Sequence, residues 1–339
     1  MLDRVEFRQN VVQRSASGHP LFRPILMQFA AHHVGCTYRD FYLDHGNLVK
    51  ANVACLRDFG MDAVGLISDP MREAEAFGAE CHYPAEGVPH CSDPPVKTLE
   101  DIDALVTPDV MASERMRDRV DGARRLRAAV GENVPVIGWI EGPLAEACDL
   151  AGVTDVLLKL AMEPEFCHRL LAKLVPTAKA FAEAQVQAGC DIVGMGDAIC
   201  SQISPQMYQQ FVQPLHREII DFIHDLGALV KVHICGDITH LLPHLREVDP
   251  DIVDIDHMVD MEHAYEVLGD DIIRCGNLDP AGVVEQKTAE EVASQTEALV
   301  RQERGRPFIL SAGCEITPLT MPENLRAMRE ASGGSLHIS

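Results

Sequence analysis

The sequence predicts an α/β fold: a single (β/α)8 barrel of the TIM type over residues 1–339, with an N-terminal extension and a long loop after the second strand. Three observations predict it. Short apolar runs recur eight times along the chain, most intervals between them can hold an amphipathic helix, and polar side chains crowd one end of the runs. A parallel strand needs a crossover of a dozen or more residues, whereas a hairpin needs only a tight turn, so such intervals imply parallel pairing. Eight units suggest a barrel, with a doubly wound open sheet as the alternative. No GxGxxG or GxxxxGK(S/T) pattern follows any run, which weakens the nucleotide-binding alternative.

In chain order the candidate strands are PILMQFA (24–30), AVGLIS (63–68), PVIGWIE (135–141), DIVGMGD (191–197), LVKVHIC (229–235), DIVDIDH (251–257), IIRCGN (272–277) and FILSAGC (308–314). Helical periodicity fills 48–60, 116–131, 164–189, 204–227 and 288–303. Residues 78–110 are proline-rich and long enough to form a lid or an excursion over one barrel end. No Ser/Gly linker or short repeat interrupts the pattern, so the reading is one domain.

Composition narrows the function. The formal charge of −23 argues against nucleic acid and anionic membrane partners, which require basic patches. No run approaches the roughly 18 apolar residues of a membrane span, and the N-terminus is too polar for a signal peptide. The expectation is a cytoplasmic protein with its 11 cysteines mostly reduced, most of them small buried hydrophobes.

In a parallel barrel the active site lies at the C-terminal strand ends. Those ends carry Ser68-Asp69-Pro70, Glu141-Gly142-Pro143, Asp197, His233-Ile234-Cys235-Gly236-Asp237, Asp254-Ile255-Asp256-His257, Gly276-Asn277-Leu278-Asp279 and Gly313-Cys314-Glu315. Within KVHICGDITH (231–240), His233 and Cys235 stand one residue apart, and residues i and i+2 of a strand share a face. Cys314 ends the eighth strand, which makes a third donor available. A His/Cys/Cys set suits zinc and leaves a fourth position open for an exchangeable group, as in catalytic sites. Thiolate ligands also favour a soft thiol as the incoming group.

Two carboxylates join the set read from the residues: Glu141 as an exchangeable fourth ligand, and Asp197 as a group that orients the ligands or the substrate. Asp237, Asn277 and Asp279 read better as caps and turn formers, His257 as a partly buried structural histidine and Cys275 as core. The adjacent pair His32-His33 diverges and does not serve one metal.

The stretches VKVHICGDITHLLPHL, CGNLDPAGVV and FILSAGCEITPLTMPENLRAM resemble the uroporphyrinogen decarboxylase superfamily, in particular its corrinoid-dependent methyltransferase branch. SDPMREAEAFGAE, GWIEGP and MGDAICSQISPQMYQQFVQP extend the resemblance over most of the chain. It implies a catalytic zinc on His233, Cys235 and Cys314, and methylcobalamin or a corrinoid-binding protein in trans as co-substrate. It implies methyl transfer to a zinc-activated thiol, or the reverse charging of a corrinoid by an O- or S-demethylase. A cofactor-free decarboxylase using Asp69 is the other branch. The arginine-rich segment with which decarboxylases grip carboxylates is missing: the corresponding region, GHPLFRPILMQFAAHH (18–33), has Arg23 as its only arginine. No D-x-H-x-x-G cobalamin signature is present, so the corrinoid would come from another chain or free solution.

Overall fold

The computed structural model describes residues 2–334. A helix, α1 (Arg4–Ser17), precedes the sheet. Asp3 caps it by accepting from the Val5 and Glu6 N–H groups, and Gly18 ends it at φ 82°. Ten strands follow: β1 (Leu21–Phe22), β2 (Val64–Gly65), β3 (Cys81–His82), β4 (His90–Cys91), β5 (Val136–Glu141), β6 (Ile192–Gly196), β7 (Leu229–His233), β8 (Ile252–Ile255), β9 (Ile273–Leu278) and β10 (Phe308–Ala312). Eight of these pair in the order β1-β10-β9-β8-β7-β6-β5-β2, every pair parallel. The sheet curls until its edges meet: the Asp62 N–H donates to the Phe22 carbonyl at 2.9 Å, and the Phe22 N–H to the Asp62 carboxylate at 2.8 Å. This is consistent with the expected (β/α)8 barrel. No helix among the described residues is long and apolar enough to cross a membrane.

Period-2 alternation builds the interior in layers. Ala63, Ile137, Ile192, Leu229, Ile252, Ile273 and Ile309 form an apolar floor, closed from below by Phe7 and Val11 of α1. Two residues further along come Lys231, Asp254 and the apolar thiol Cys275, and two further still His233 and Asp256. The opposite face of each strand, including Val193, Val230, Val253 and Leu310, packs against the surrounding helices.

The first strand departs from expectation. It is Leu21–Phe22 rather than 24–30, and Gln28–His33 is helical. Pro24 has no N–H to give the ladder, so regular pairing with β10 stops after the Arg23 N–H bonds to the Leu310 carbonyl at 2.9 Å. Only Ile25 touches the sheet again, in a bridge to Glu315. Six of the other seven strands fall inside the predicted ranges, one to four residues shorter, and β9 runs one residue past its predicted end, to Leu278. The proline-rich loop folds into the antiparallel β3–β4 hairpin and the helix Leu99–Ala104. The hairpin brings Val88 to the mouth of a cavity at the C-terminal end of the sheet.

Candidate metal centre

Strand β7 ends at His233, and the next two residues carry Cys235 off the sheet edge before Gly236 turns the chain at φ 89°. A positive φ is cheap only for glycine, so the turn that presents Cys235 depends on it. Gly313, just before Cys314, has no room for a side chain: a Cβ there would lie 2.3 Å from the His257 backbone nitrogen. These two turns bring three donors together. Nε2 of His233 lies 3.1 Å from Sγ of Cys235 and 3.8 Å from Sγ of Cys314, and the two sulfurs are 3.6 Å apart. The sulfurs are far beyond the disulfide length of about 2.05 Å. With zinc bonds of about 2.3 Å to sulfur and 2.0–2.1 Å to nitrogen, tetrahedral ligand edges come to roughly 3.6–3.8 Å. The donor triangle therefore fits zinc with only a small opening of its His233–Cys235 side.

Charge supports the donors. Nδ1 of His233 pairs with Oδ2 of Asp254 at 2.8 Å, and Oδ1 of Asp254 with Nζ of Lys231 at 2.9 Å. Burial works against the imidazolium, but Asp254 and Cys314 outweigh it and lift His233 to about 10. Burial likewise opposes the Asp254 carboxylate, yet Lys231 and His233 hold it at about 2. The hydrogen bond from Cys235, with help from His233, draws Cys314 down to about 4, while its partner Cys235 is pushed up. By contrast Cys55, Cys148, Cys190, Cys200 and Cys275 are buried thiols raised by desolvation, as small hydrophobes should be.

The three donors line a cavity of roughly 350 Å³ together with Tyr38, Asp69, Trp139, Glu141, Ala198 and Glu315. Trp139 lies flat against β6, where side chains at Gly194 and Gly196 would collide with its ring, and its centroid is 6.0 Å from that of His233. Asp69 and Glu141 both face the cavity, each backed by a buried arginine. Asp69 accepts from Arg115 at 2.6 and 3.2 Å and from Ser68 at 2.7 Å. Glu141 accepts from Arg72 at 2.8 Å, and burial raises its carboxyl well above the usual range despite that arginine.

Asp197 is placed differently. It is fully buried and absent from the cavity lining, and it accepts from the Leu144 and Ala145 N–H groups at 3.2 and 2.7 Å and pairs with His216 at 2.8 Å. It pins the first turn of the helix Pro143–Ala151 to the end of β6, and its own N–H donates to the His233 carbonyl at 2.9 Å. His257 is 39% exposed and lines a separate shallow cavity with Asn277 and Asp279. His32 and His33 diverge, to Glu86 and Asp58.

Sequence reasoning passed over Arg72, Arg115, Lys231, Trp139 and Glu315. Arg23, the arginine it did notice, lies in the barrel floor rather than in the cavity. Burial raises Glu315 to about 7, and one of its oxygens accepts from the Gln28 N–H at 2.9 Å. Its position beside Cys314 was the available signal. Arg72 and Arg115 sit in the first turns of the helices Met71–Ala76 and Glu114–Val130, where nothing in the local pattern distinguishes them from surface arginines.

The profile for "Uroporphyrinogen decarboxylase (URO-D)" matches residues 20–333. The chain belongs to the uroporphyrinogen decarboxylase family. Within that family it is 31% identical to uroporphyrinogen decarboxylase from Myxococcus xanthus (strain DK1622), over 80% of this chain and 78% of the relative. It is 25% identical to the methylcobamide:CoM methyltransferase MtaA of Methanosarcina barkeri, over 87% and 86% of the two chains. A solved methyltransferase from Methanosarcina mazei superposes with a TM-score of 0.84 at 20% identity, covering 96% of this chain and 98% of that one. At that identity the superposition speaks for the fold alone. The URO-D family thus holds both decarboxylases and methyltransferases among this chain's relatives.

Proposed function

We propose that this chain, as one domain over residues 1–339, is a zinc-dependent methyltransferase that moves a methyl group between a corrinoid and a small thiol or thioether. The observation that carries the reading is the His233–Cys235–Cys314 triangle, whose edges of 3.1–3.8 Å need only a small opening of one side to hold zinc facing the cavity. Zinc held there would keep a bound thiol in its nucleophilic thiolate form near neutral pH. The chain's own residues do the rest. Asp254, fixed by Lys231, turns Nε2 of His233 toward the thiols, and Trp139 and Tyr38 wall the cavity against water. Glu141 and Asp69, clamped by Arg72 and Arg115, hold the rim in place. The methyl-bearing corrinoid would be presented at the mouth by a separate protein, in keeping with a relative named for a methylcobamide substrate.

Two observations favour the decarboxylase reading, the identity to the Myxococcus relative and Asp69 in the cavity. Two others count against it. Both Asp69 oxygens are already held by Arg115, and no Lys or Arg lines the cavity among the described residues, so substrate carboxylates would find no cation there.

The deciding experiment is metal content per chain in wild type and in Cys235→Ser, followed by transfer from methylcobalamin to small thiols. About one zinc per chain, lost in the variant, with thiol methylation only in the zinc form, is the expected result. No zinc after reconstitution, with decarboxylation of a porphyrinogen, would replace this reading by the decarboxylase one.

A further inference from the structure

The remainder of the substrate, beyond its sulfur, can be read from the charges around the cavity, given the methyl-transfer reading above. Apart from the ligand set and Tyr38, the ionisable groups lining the cavity are the three carboxyl groups Asp69, Glu141 and Glu315. The nearest guanidinium groups are already engaged behind two of those acids. Arg115 gives its NH1 and NH2 to Asp69, and NH2 also to the Tyr42 carbonyl at 2.7 Å, while Arg72 bonds Glu141 and, like Arg115, is buried. Lys231 lies one layer below and holds Asp254.

Glu315 differs from the other two acids because no arginine or lysine pairs with it among the described residues; its side chain is held by the Gln28 N–H. Trp139 and Tyr38 add aromatic faces to the same cavity. An anionic tail entering here would be stripped of water against an acidic wall with no donor of positive charge to replace it. A cationic tail would find carboxyl oxygens and ring faces, both of which attract it.

We propose that the thiol taken by this site carries a positively charged, amine-bearing tail, and that Glu315 is the specificity-determining residue that receives it and turns away sulfonate and carboxylate tails. A volume of roughly 350 Å³ sets the size class: a small molecule rather than a peptide.

The test uses full-length protein loaded with cobalt(II), whose thiolate-to-metal absorption reports a thiol reaching the ion without any turnover. Three thiols of equal length are titrated at one pH: 2-aminoethanethiol, 2-mercaptoethanol and 2-mercaptoethanesulfonate. The amine is expected to bind about tenfold tighter than the sulfonate, with the alcohol between them. In Glu315→Gln the amine-to-sulfonate ratio should fall to near unity. If the sulfonate binds wild type as tightly as the amine or more tightly, the tail assignment is overturned while thiol chemistry at the metal stands. If no thiol changes the spectrum, both the tail assignment and the methyl-transfer reading fall. A wild-type preference for the amine that persists unchanged in Glu315→Gln would remove Glu315 from the role.

Discussion

Nδ1 of His233 lies 2.8 Å from Oδ2 of Asp254, and that one contact decides which ring nitrogen faces the two thiols. Both partners are buried, so neither is free to reorient into solvent. Asp254→Asn should keep the fold but weaken zinc binding by about 10–100-fold, as loss of a carboxylate behind a ligating histidine commonly does. Competition with a chelator of known affinity measures it; unchanged affinity would mean that Nε2 is not a ligand.

The ligands themselves should be dispensable for folding. Cys314 lies beyond the end of β10, outside the apolar layers that hold the sheet together. Cys314→Ala is expected to lose the metal and methyl transfer while retaining the circular dichroism spectrum and cooperative thermal unfolding of the metal-free wild type. A variant that keeps stoichiometric zinc and full transfer would contradict the ligand assignment.

Metal uptake should depend steeply on pH, with a sign fixed by the donors. His233 is raised to about 10 and the Cys235 thiol is also raised, so both carry protons at pH 7 in the metal-free site; Cys314, at about 4, does not. Zinc must displace the two protons, so affinity should rise by about two decades per pH unit around neutrality and fall toward acid. Calorimetry in buffers of different ionisation enthalpy should count about two protons released per zinc. A count near zero would mean that Cys235 and His233 do not ligate.

A second group of acids gives the chain its own pH-dependent stability. Glu146 is 3% exposed, and neither carboxylate oxygen has a hydrogen-bond partner. Burial, with Glu73, Asp149 and Glu141 adding to it, raises its carboxyl well above the usual range. Glu141 and Asp149 are raised in the same way, by burial first. A carboxyl whose folded value lies above its unfolded one costs stability as pH climbs past the unfolded value, because only the unfolded chain gives up the proton freely. The protein should therefore lose stability from this cluster between about pH 4.5 and the raised folded values. Glu146→Gln should stabilise it by about 1–3 kcal/mol at pH 8 and little at pH 4.5. Chemical denaturation at the two pH values checks this, and equal shifts at both would rule out a titration origin.

Loss of Arg115, which stands behind the cavity wall, is expected to be costly. Arg115→Met leaves the Asp69 carboxylate buried without its bidentate partner, which typically costs about 3–5 kcal/mol. The double variant Arg115→Met/Asp69→Leu should recover most of that loss in denaturant unfolding. No recovery would show that the arginine stabilises through packing rather than charge.

Much of the fold was legible because parallel strands buried on both faces read as plain apolar runs. Seven of the eight positions were found that way. The first was not, because PILMQFA looks like a strand, and only the missing N–H of Pro24 and the pull of Glu315 on the Gln28 N–H turn its second half into helix. Of the proposed site carboxylates, Asp69 and Glu141 line the cavity, whereas Asp197 fastens a helix end. A strand-end aspartate looks the same in either role, since the difference lies in whether backbone N–H groups from another segment reach it.

By itself, the order of residues in this chain determined the alternation of elements, the crowding of soft and acidic groups at one end of the strands, and the HxC pair that two positions of extended chain place on one side. Curling the sheet decided the rest. It set Cys314 3.6 Å from Cys235, brought Asp254 of the neighbouring strand against both His233 and Lys231, and backed the acidic rim with Arg72 and Arg115 from helices. Local periodicity arises from backbone geometry within a few residues, so it can be read along the chain. Partnerships between charges depend on which helices pack against which strands, and that distance is set only when the core closes.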